Sequence, residues 1–143
     1  MTGASDDPSA TARTFLDAVA WAEHTRLWDL LATTARVAVL EVATRRGMDA
    51  LLAARLREST ASDDERDAFL VDLLHGVRSD LGDIDLDAVR CSNDSWHEDQ
   101  GGRTVVQLLH DVPTELGGPV PVGAVDLVAE ADGTWRVAGV RSW

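Results

Sequence analysis

The chain of 143 residues contains no lysine and no tyrosine. All 13 basic residues are arginine, which excludes Schiff-base chemistry and a phosphate-binding loop that depends on lysine. Without a phenol, no tyrosine can donate to an oxyanion or act as an acid. The single cysteine, Cys91, cannot form an intramolecular disulfide, so nothing in the sequence indicates an oxidising compartment.

Targeting segments are also missing from the sequence. The first ten residues lack the basic and apolar regions of a signal peptide. No apolar run approaches the roughly 20 residues needed to span a bilayer. We therefore expect a cytoplasmic protein with no membrane partner. The lysine-free composition, rich in Ala, Arg and Asp, is typical of a bacterial genome of high GC content.

The net charge is −12, from 25 acidic and 13 basic residues. Such an excess repels phosphate backbones, so we do not expect nucleic acid as a partner. The length is typical of one domain, and 45% hydrophobic residues is an ordinary composition for a globular chain. We predict a single domain over residues 8–143, preceded by a disordered N-terminus at residues 1–7.

The first half of the chain predicts helices. Asp7 and Pro8 are suited to the N-cap and first position of a helix that continues to about Glu23. A short helix carrying Leu27, Trp28, Leu30 and Leu31 follows, and residues 48–58 predict another. Ser62 and Glu65 form a capping box at the start of the longest helix, which ends at Gly82.

The secondary structure of residues 36–44 can be interpreted in two ways. Val37, Val39 and Val42 suit a strand, whereas Arg45, Arg46 and Gly47 are typical of a helix C-terminus. The helix is the favoured interpretation.

The second half predicts strands, because the hydrophobic period changes to two from Ile84 onwards. Residues 84–91 and 103–112 are the first two strands, and two more flank Asp132-Gly133 as a hairpin. A fifth strand is added if residues 96–98 pair. The prediction is an α+β fold in which N-terminal helices pack on a curved antiparallel sheet of four to five strands.

Helices followed by a meander of strands that ends in an "E-A-D-G-T-W-R-V" hairpin resemble the nuclear transport factor 2-like superfamily, which includes ketosteroid-isomerase-like and SnoaL-like proteins. The first helix with Phe15 and Leu16, the "LWDLL" turn and the "RRGMDALLAARL" segment contribute to the resemblance. It implies a cone-shaped roll whose sheet wraps a helix around a pocket, and a homodimer formed through the sheet face. The chain departs from the pattern in its helix from residue 63 to 81, whose Phe69 and Leu73 can fill that pocket.

Asp126 and Arg141 are the first candidate site. A two-residue turn at Asp132-Gly133 places Asp126 opposite Gly139 and diagonal to Arg141. One interpretation makes the pair a pocket floor with a carboxylate base; the favoured one is a structural cross-strand salt bridge. His110, at a strand end, is a second candidate base, although a surface histidine is the commoner case.

We predict a small non-catalytic module that binds an apolar ligand or a protein partner, because no cluster of catalytic residue types stands out. The candidate ligand-pocket residues are Trp28, Val128, Trp135 and Val137. No cofactor and no metal site are expected. The alternative is a SnoaL-like cyclase or isomerase, or an epoxide-hydrolase-like enzyme that uses Asp126, Arg141 and His110, with Asp111 as a further carboxylate.

Overall fold

The helices precede the strands along the chain. The structure, a computed structural model, describes residues 7–92 and 102–142. Within these ranges the α-helices are α1 (Pro8–Ala20), α2 (His24–Leu30), α3 (Thr33–Arg45), α4 (Ala50–Arg57) and α5 (Asp63–Leu81). The strands are β1 (Arg90–Ser92), β2 (Arg103–His110), β3 (Val120–Ala129) and β4 (Trp135–Ser142), paired antiparallel in that order. The predicted α+β class is confirmed, while residues 96–98 and 1–6 lie outside the described part of the chain.

The helix ends follow the predicted capping residues. The Asp7 side chain accepts a hydrogen bond from the Ser9 amide at 3.0 Å. In α5, the Ser62 hydroxyl accepts from the Glu65 amide at 3.2 Å, and the Glu65 carboxylate accepts from the Ser62 amide at 3.1 Å. These bonds satisfy amides that have no partner inside the helix. Residues 36–44 are helical, so the favoured interpretation of that segment is confirmed.

The predicted strand over residues 84–91 is wrong for most of its length. Only residues 90–92 pair with β2, and residues 85–89 form a turn instead. The Asp85 carbonyl accepts hydrogen bonds from the Ala88 and Val89 amides, and the Asp85 side chain accepts from the Asp87 amide at 3.1 Å. Aspartate side chains compete for backbone amides in this way, which explains why the alternating pattern did not produce a strand.

The hairpin of β3 and β4 is confirmed, but its turn differs from the predicted one. The Glu130 amide donates to the Thr134 carbonyl at 2.9 Å, so residues 131–133 form a three-residue loop with Gly133 at φ 84°. Leu127 then pairs with Val137, and an unpaired Ala138 forms a bulge that restores the predicted pairing of Asp126 with Gly139. Because the bulge adds one residue, it places Trp135 and Val137 on the opposite sheet face from Asp126.

Two groups of buried apolar residues hold the elements together. The larger group, here called the main core, joins α1, α2 and the C-terminal half of α5 to the inner face of the sheet. Its largest fully buried side chains include Phe15, Leu16, Leu27, Leu81, Leu108 and Leu127. The smaller group, here called the helical cluster, consists of Leu40, Leu56, Phe69 and Leu70. Helix α5 therefore contributes to both groups, one at each of its ends.

Candidate functional site

Asp126 and Arg141 form an ion pair on the outer face of the sheet. The Arg141 guanidinium donates to the Asp126 carboxylate at 2.8 Å, and the two side chains are 50% and 35% exposed. Asp126 pairs in register with Val105, which is 43% exposed. The sequence placed these two side chains correctly relative to each other. They face away from the helices, and the homodimer predicted through this face stays a prediction.

Asp111 is held by a different arginine. The Arg90 guanidinium donates to both oxygens of the Asp111 carboxylate, at 3.0 Å in each case, and this bond is the main cause that lowers the Asp111 pKa from its ordinary value. Asp111 therefore pairs with β1, and the structure does not join it to Asp126 and Arg141 in one three-residue site. The neighbouring His110 buries its Nε2 atom, which has no hydrogen-bond partner among residues 7–92 and 102–142.

The four predicted pocket residues lie in separate surroundings. Trp135 is in the main core, and Val128 is paired with Arg136 on the outer sheet face. Trp28 packs its ring edge-to-face on Phe69, with centroids 5.5 Å apart, and the Arg36 guanidinium lies 5.4 Å from the Trp28 centroid. Only Val137 lines the apolar cleft between α3 and α5. The bulge at Ala138 separates Val128 from Val137, and no residue pattern indicated this bulge.

An apolar cleft of about 660 Å³ lies between α3 and α5, with part of β4 as its floor. We call it the α3–α5 cleft. It is open on one side, and Phe15, Leu31 and Met48 complete its lining. Among the described residues, those that line it include no His, Cys, Ser or Thr, so the cleft offers apolar surface and very few groups for proton transfer or nucleophilic attack.

The two walls of the cleft are matching apolar stripes. Helix α3 contributes Ala35, Ala38, Val39, Val42 and Ala43, and α5 contributes Phe69, Leu73, Gly76 and Val77. The α3 set follows the i, i+3, i+4, i+7 and i+8 spacing of one helix face, and the α5 set follows it at i, i+4, i+7 and i+8, with Asp72 at the i+3 position. Such a face normally packs against another element, yet Leu40 is the single buried residue of α3. The stripe on α3 falls in the segment whose secondary structure was ambiguous, which is why the sequence did not reveal it.

Three charged residues line the cleft: Arg46, Asp72 and Asp80. None of them forms an ion pair with another residue in the described part of the chain. On α5, Gly76 lies one turn from each aspartate on the same stripe. A Cβ atom built on Gly76 meets nothing within 4 Å, so the space beside this residue is open.

Helix α3 is attached to the hairpin at its first turn. The residue at its N-cap position, Ala32, has no side-chain oxygen, and the Glu130 carboxylate serves instead: it accepts from the Thr33 amide at 2.9 Å and from the Thr33 hydroxyl at 3.1 Å. The Ala32 amide also donates to the Val137 carbonyl at 2.8 Å. One end of the cleft wall is thereby fixed to the sheet.

Cys91 contributes to packing and has no role in the cleft. Burial raises the pKa of its thiol, which keeps it protonated and unreactive. Among residues 7–92 and 102–142, no group of three or more His, Cys, Asp or Glu side chains lies close enough to hold a metal ion. None of the described helices combines the length and apolar character that a membrane span requires.

Comparisons with protein-family models, with curated proteins and with solved structures found no match to this chain.

Proposed function

We propose that this protein is a small, non-catalytic binding module that holds an apolar ligand in the α3–α5 cleft. The observation that carries the proposal is the accessible apolar lining of the cleft: no residue of the α3 stripe is fully buried, and Leu73 and Gly76 on the α5 stripe are also accessible. Leaving such stripes exposed to water costs free energy in proportion to their area, and an apolar ligand would remove that cost. The volume of about 660 Å³ falls within the range of small-molecule sites.

The distribution of ionisable groups supports binding over catalysis. The predicted acid–base residues Asp126 and His110 do not line the cleft, and Asp126 is engaged with Arg141. The lining does carry the carboxylates of Asp72 and Asp80, but no His, Cys, Ser or Thr accompanies them among the described residues. A general base must reach the proton that it abstracts, directly or through one water. A ligand in the cleft would be out of reach of the outer sheet face.

We also propose that the domain belongs to the nuclear transport factor 2-like superfamily. Helices that precede an antiparallel sheet, the terminal hairpin and a cleft between helix and sheet are what supports this proposal. In such a fold the helix that faces the sheet would form one wall of the binding site, and α5 lines one wall of the α3–α5 cleft.

The binding test uses Nile red, a neutral dye whose fluorescence rises in apolar surroundings. We expect the wild-type protein to bind it at micromolar concentrations and decanol to displace it. Ala38, on the α3 wall, is exposed, so Ala38→Trp should fill the cleft and abolish dye binding. The matched control is Ala10→Trp on the exposed side of α1, which should leave dye binding unchanged. Binding that survives in Ala38→Trp, or absence of binding to the wild-type protein, refutes the proposal.

A further inference from the structure

The charges around the α3–α5 cleft are unevenly distributed along its length. Arg46 follows the last turn of α3, and its neighbour Met48 packs on the helical cluster together with Phe69. Asp72 follows Phe69 on α5, so Arg46 and Asp72 belong to the same end of the cleft. Asp80 lies two turns further along α5, about 12 Å away at 1.5 Å per residue.

Arg46 is the only basic residue among the described residues that line the cleft, and Asp80 forms no ion pair with a described residue. The guanidinium of Arg78, the nearest arginine in α5, donates a hydrogen bond from Nη2 to the Val19 carbonyl at 2.8 Å. Arg141 is paired with Asp126 on the other face of the sheet. The negative charge of Asp80 therefore stands uncompensated beside apolar surface, in a chain whose net charge is −12.

Open space adjoins this charge. Gly76 precedes Asp80 by one turn on the cleft side of α5, and nothing lies within 4 Å of a Cβ built on it. Glycine inside a helix costs stability relative to alanine, and neither a positive φ nor a close neighbour requires it here. The gap provides room for a small head group next to the Asp80 carboxylate.

We infer that the α3–α5 cleft takes a ligand with an apolar chain and one cationic group, of the primary alkylammonium class. The ammonium lies beside Asp80 over Gly76, and the chain extends along the two stripes toward Met48. Charge complementarity selects this class over an alkyl carboxylate, because a carboxylate at the same place would be repelled by Asp80 and by the net charge of the protein. The inference rests on the proposed function, since it names the ligand class of the same cleft.

The test compares three probes with the same chain: decylammonium, decanol and decanoate, each displacing Nile red below its micelle concentration. We expect decylammonium to bind about fivefold more tightly than decanol, which corresponds to ~1 kcal/mol and is typical of a partly exposed ion pair. Decanoate should bind most weakly. The preference for decylammonium over decanol should decrease at high salt, because salt screens exposed charges.

Two variants that each remove one negative charge test whether the preference depends on Asp80 itself or on the net charge of the protein. Asp80→Asn should remove the preference for decylammonium over decanol. Asp83→Asn makes the same change in net charge outside the cleft lining, so it should keep the preference. Thermal melts of both variants verify that the fold is retained.

The outcomes distinguish the inference from the function on which it rests. If decanol displaces the dye but the three probes bind equally, or decanoate binds best, the inference is overturned while the proposed function stands. Equal loss of the preference for decylammonium in both variants also overturns the inference, because the net charge of the protein would then explain the preference. If none of the probes displaces the dye, the proposed function itself fails.

Discussion

The main core and the helical cluster share α5 but differ in what covers it. Around the C-terminal half of α5, the sheet and α1 bury Leu74, Val77 and Leu81 together. Around its N-terminal half, α3 and α4 contribute only Leu40 and Leu56 to the buried cluster. Hydrophobic stabilisation scales with buried apolar area, so the sheet side is held far more firmly than the α3–α4 side. The cleft lies between these two regions and is lined by α3, α5 and part of β4.

This difference shows how one small domain can combine a rigid frame with an open site. The apolar surface that a fully packed helix would bury is left on α3 as one wall of the cleft. Segments with few buried contacts open at lower free energy than the core does. We therefore expect α3 and α4 to be the elements that adjust when a ligand enters.

The largest effect is expected in the main core. Leu127 is 1% exposed on the inner sheet face, so Leu127→Ala should lower the free energy of unfolding by about 3 kcal/mol through lost burial and a residual cavity. Urea denaturation measures this loss. Leu51→Ala is the control, because Leu51 is 69% exposed and its truncation should have little effect. Similar losses in the two variants would contradict the assignment of the core.

A smaller effect is expected in the helical cluster. Leu40→Ala should cost about 2 kcal/mol, at the low end of buried leucine truncations, because few residues surround this side chain. Native-state hydrogen exchange should show faster exchange in α3 and α4 with little change in β3. If amides of β3 lose protection to the same extent, the two regions unfold as one unit and the comparison fails.

At the junction of the two regions, a substitution should stabilise the protein. Gly76→Ala replaces an unneeded glycine inside α5 and should raise the free energy of unfolding by about 1 kcal/mol. Gly47→Ala is the matched control: it has equal space but a φ of 111°, so alanine should destabilise there. Thermal melts should show a higher melting temperature for Gly76→Ala and a lower one for Gly47→Ala. A destabilising Gly76→Ala would mean that α5 requires glycine at this position for structural reasons.

The smallest effect is expected on the outer sheet face. Asp126→Asn breaks an ion pair whose two side chains are more than one third exposed, so solvent screening should limit the loss to ~0.5 kcal/mol. The same urea assay measures it, with Asp83→Asn as a charge-matched control at an exposed position. A loss of several kcal/mol would identify the pair as part of a buried interface.

Local signals in the sequence predicted the helices and the hairpin well. Asp7, Ser62 and Glu65 cap helices because their side chains reach nearby backbone amides, an interaction that depends only on neighbouring residues. The pairing of Asp126 with Gly139 was also predictable. This pairing agrees with the prediction because two differences from the predicted hairpin cancel. The turn that contains Gly133 is longer by one residue, and β4 has one extra residue at Ala138.

The site could not be predicted in the same way, because it depends on the distance between elements far apart in the chain. The stripe on α3 lies in a segment whose residues suited either a strand or a helix, and nothing in those residues indicates that a cleft separates it from the stripe on α5. Val128 and Val137, predicted to line one pocket, lie on opposite faces of the sheet because a single bulged residue reverses the alternation of a strand. Asp85 is a different case. The alternating pattern around it predicted a strand, but local hydrogen bonds formed a turn there instead.

The attachment of α3 to Glu130 has a consequence for the order in which the molecule assembles. Thr33 and the carboxylate that completes its helix start are 97 residues apart in the chain. On a ribosome, α3 is made early but its first turn stays incomplete until the hairpin has emerged and folded. The wall of the cleft is therefore secured late, so a nascent chain that has not yet reached the hairpin presents no finished site.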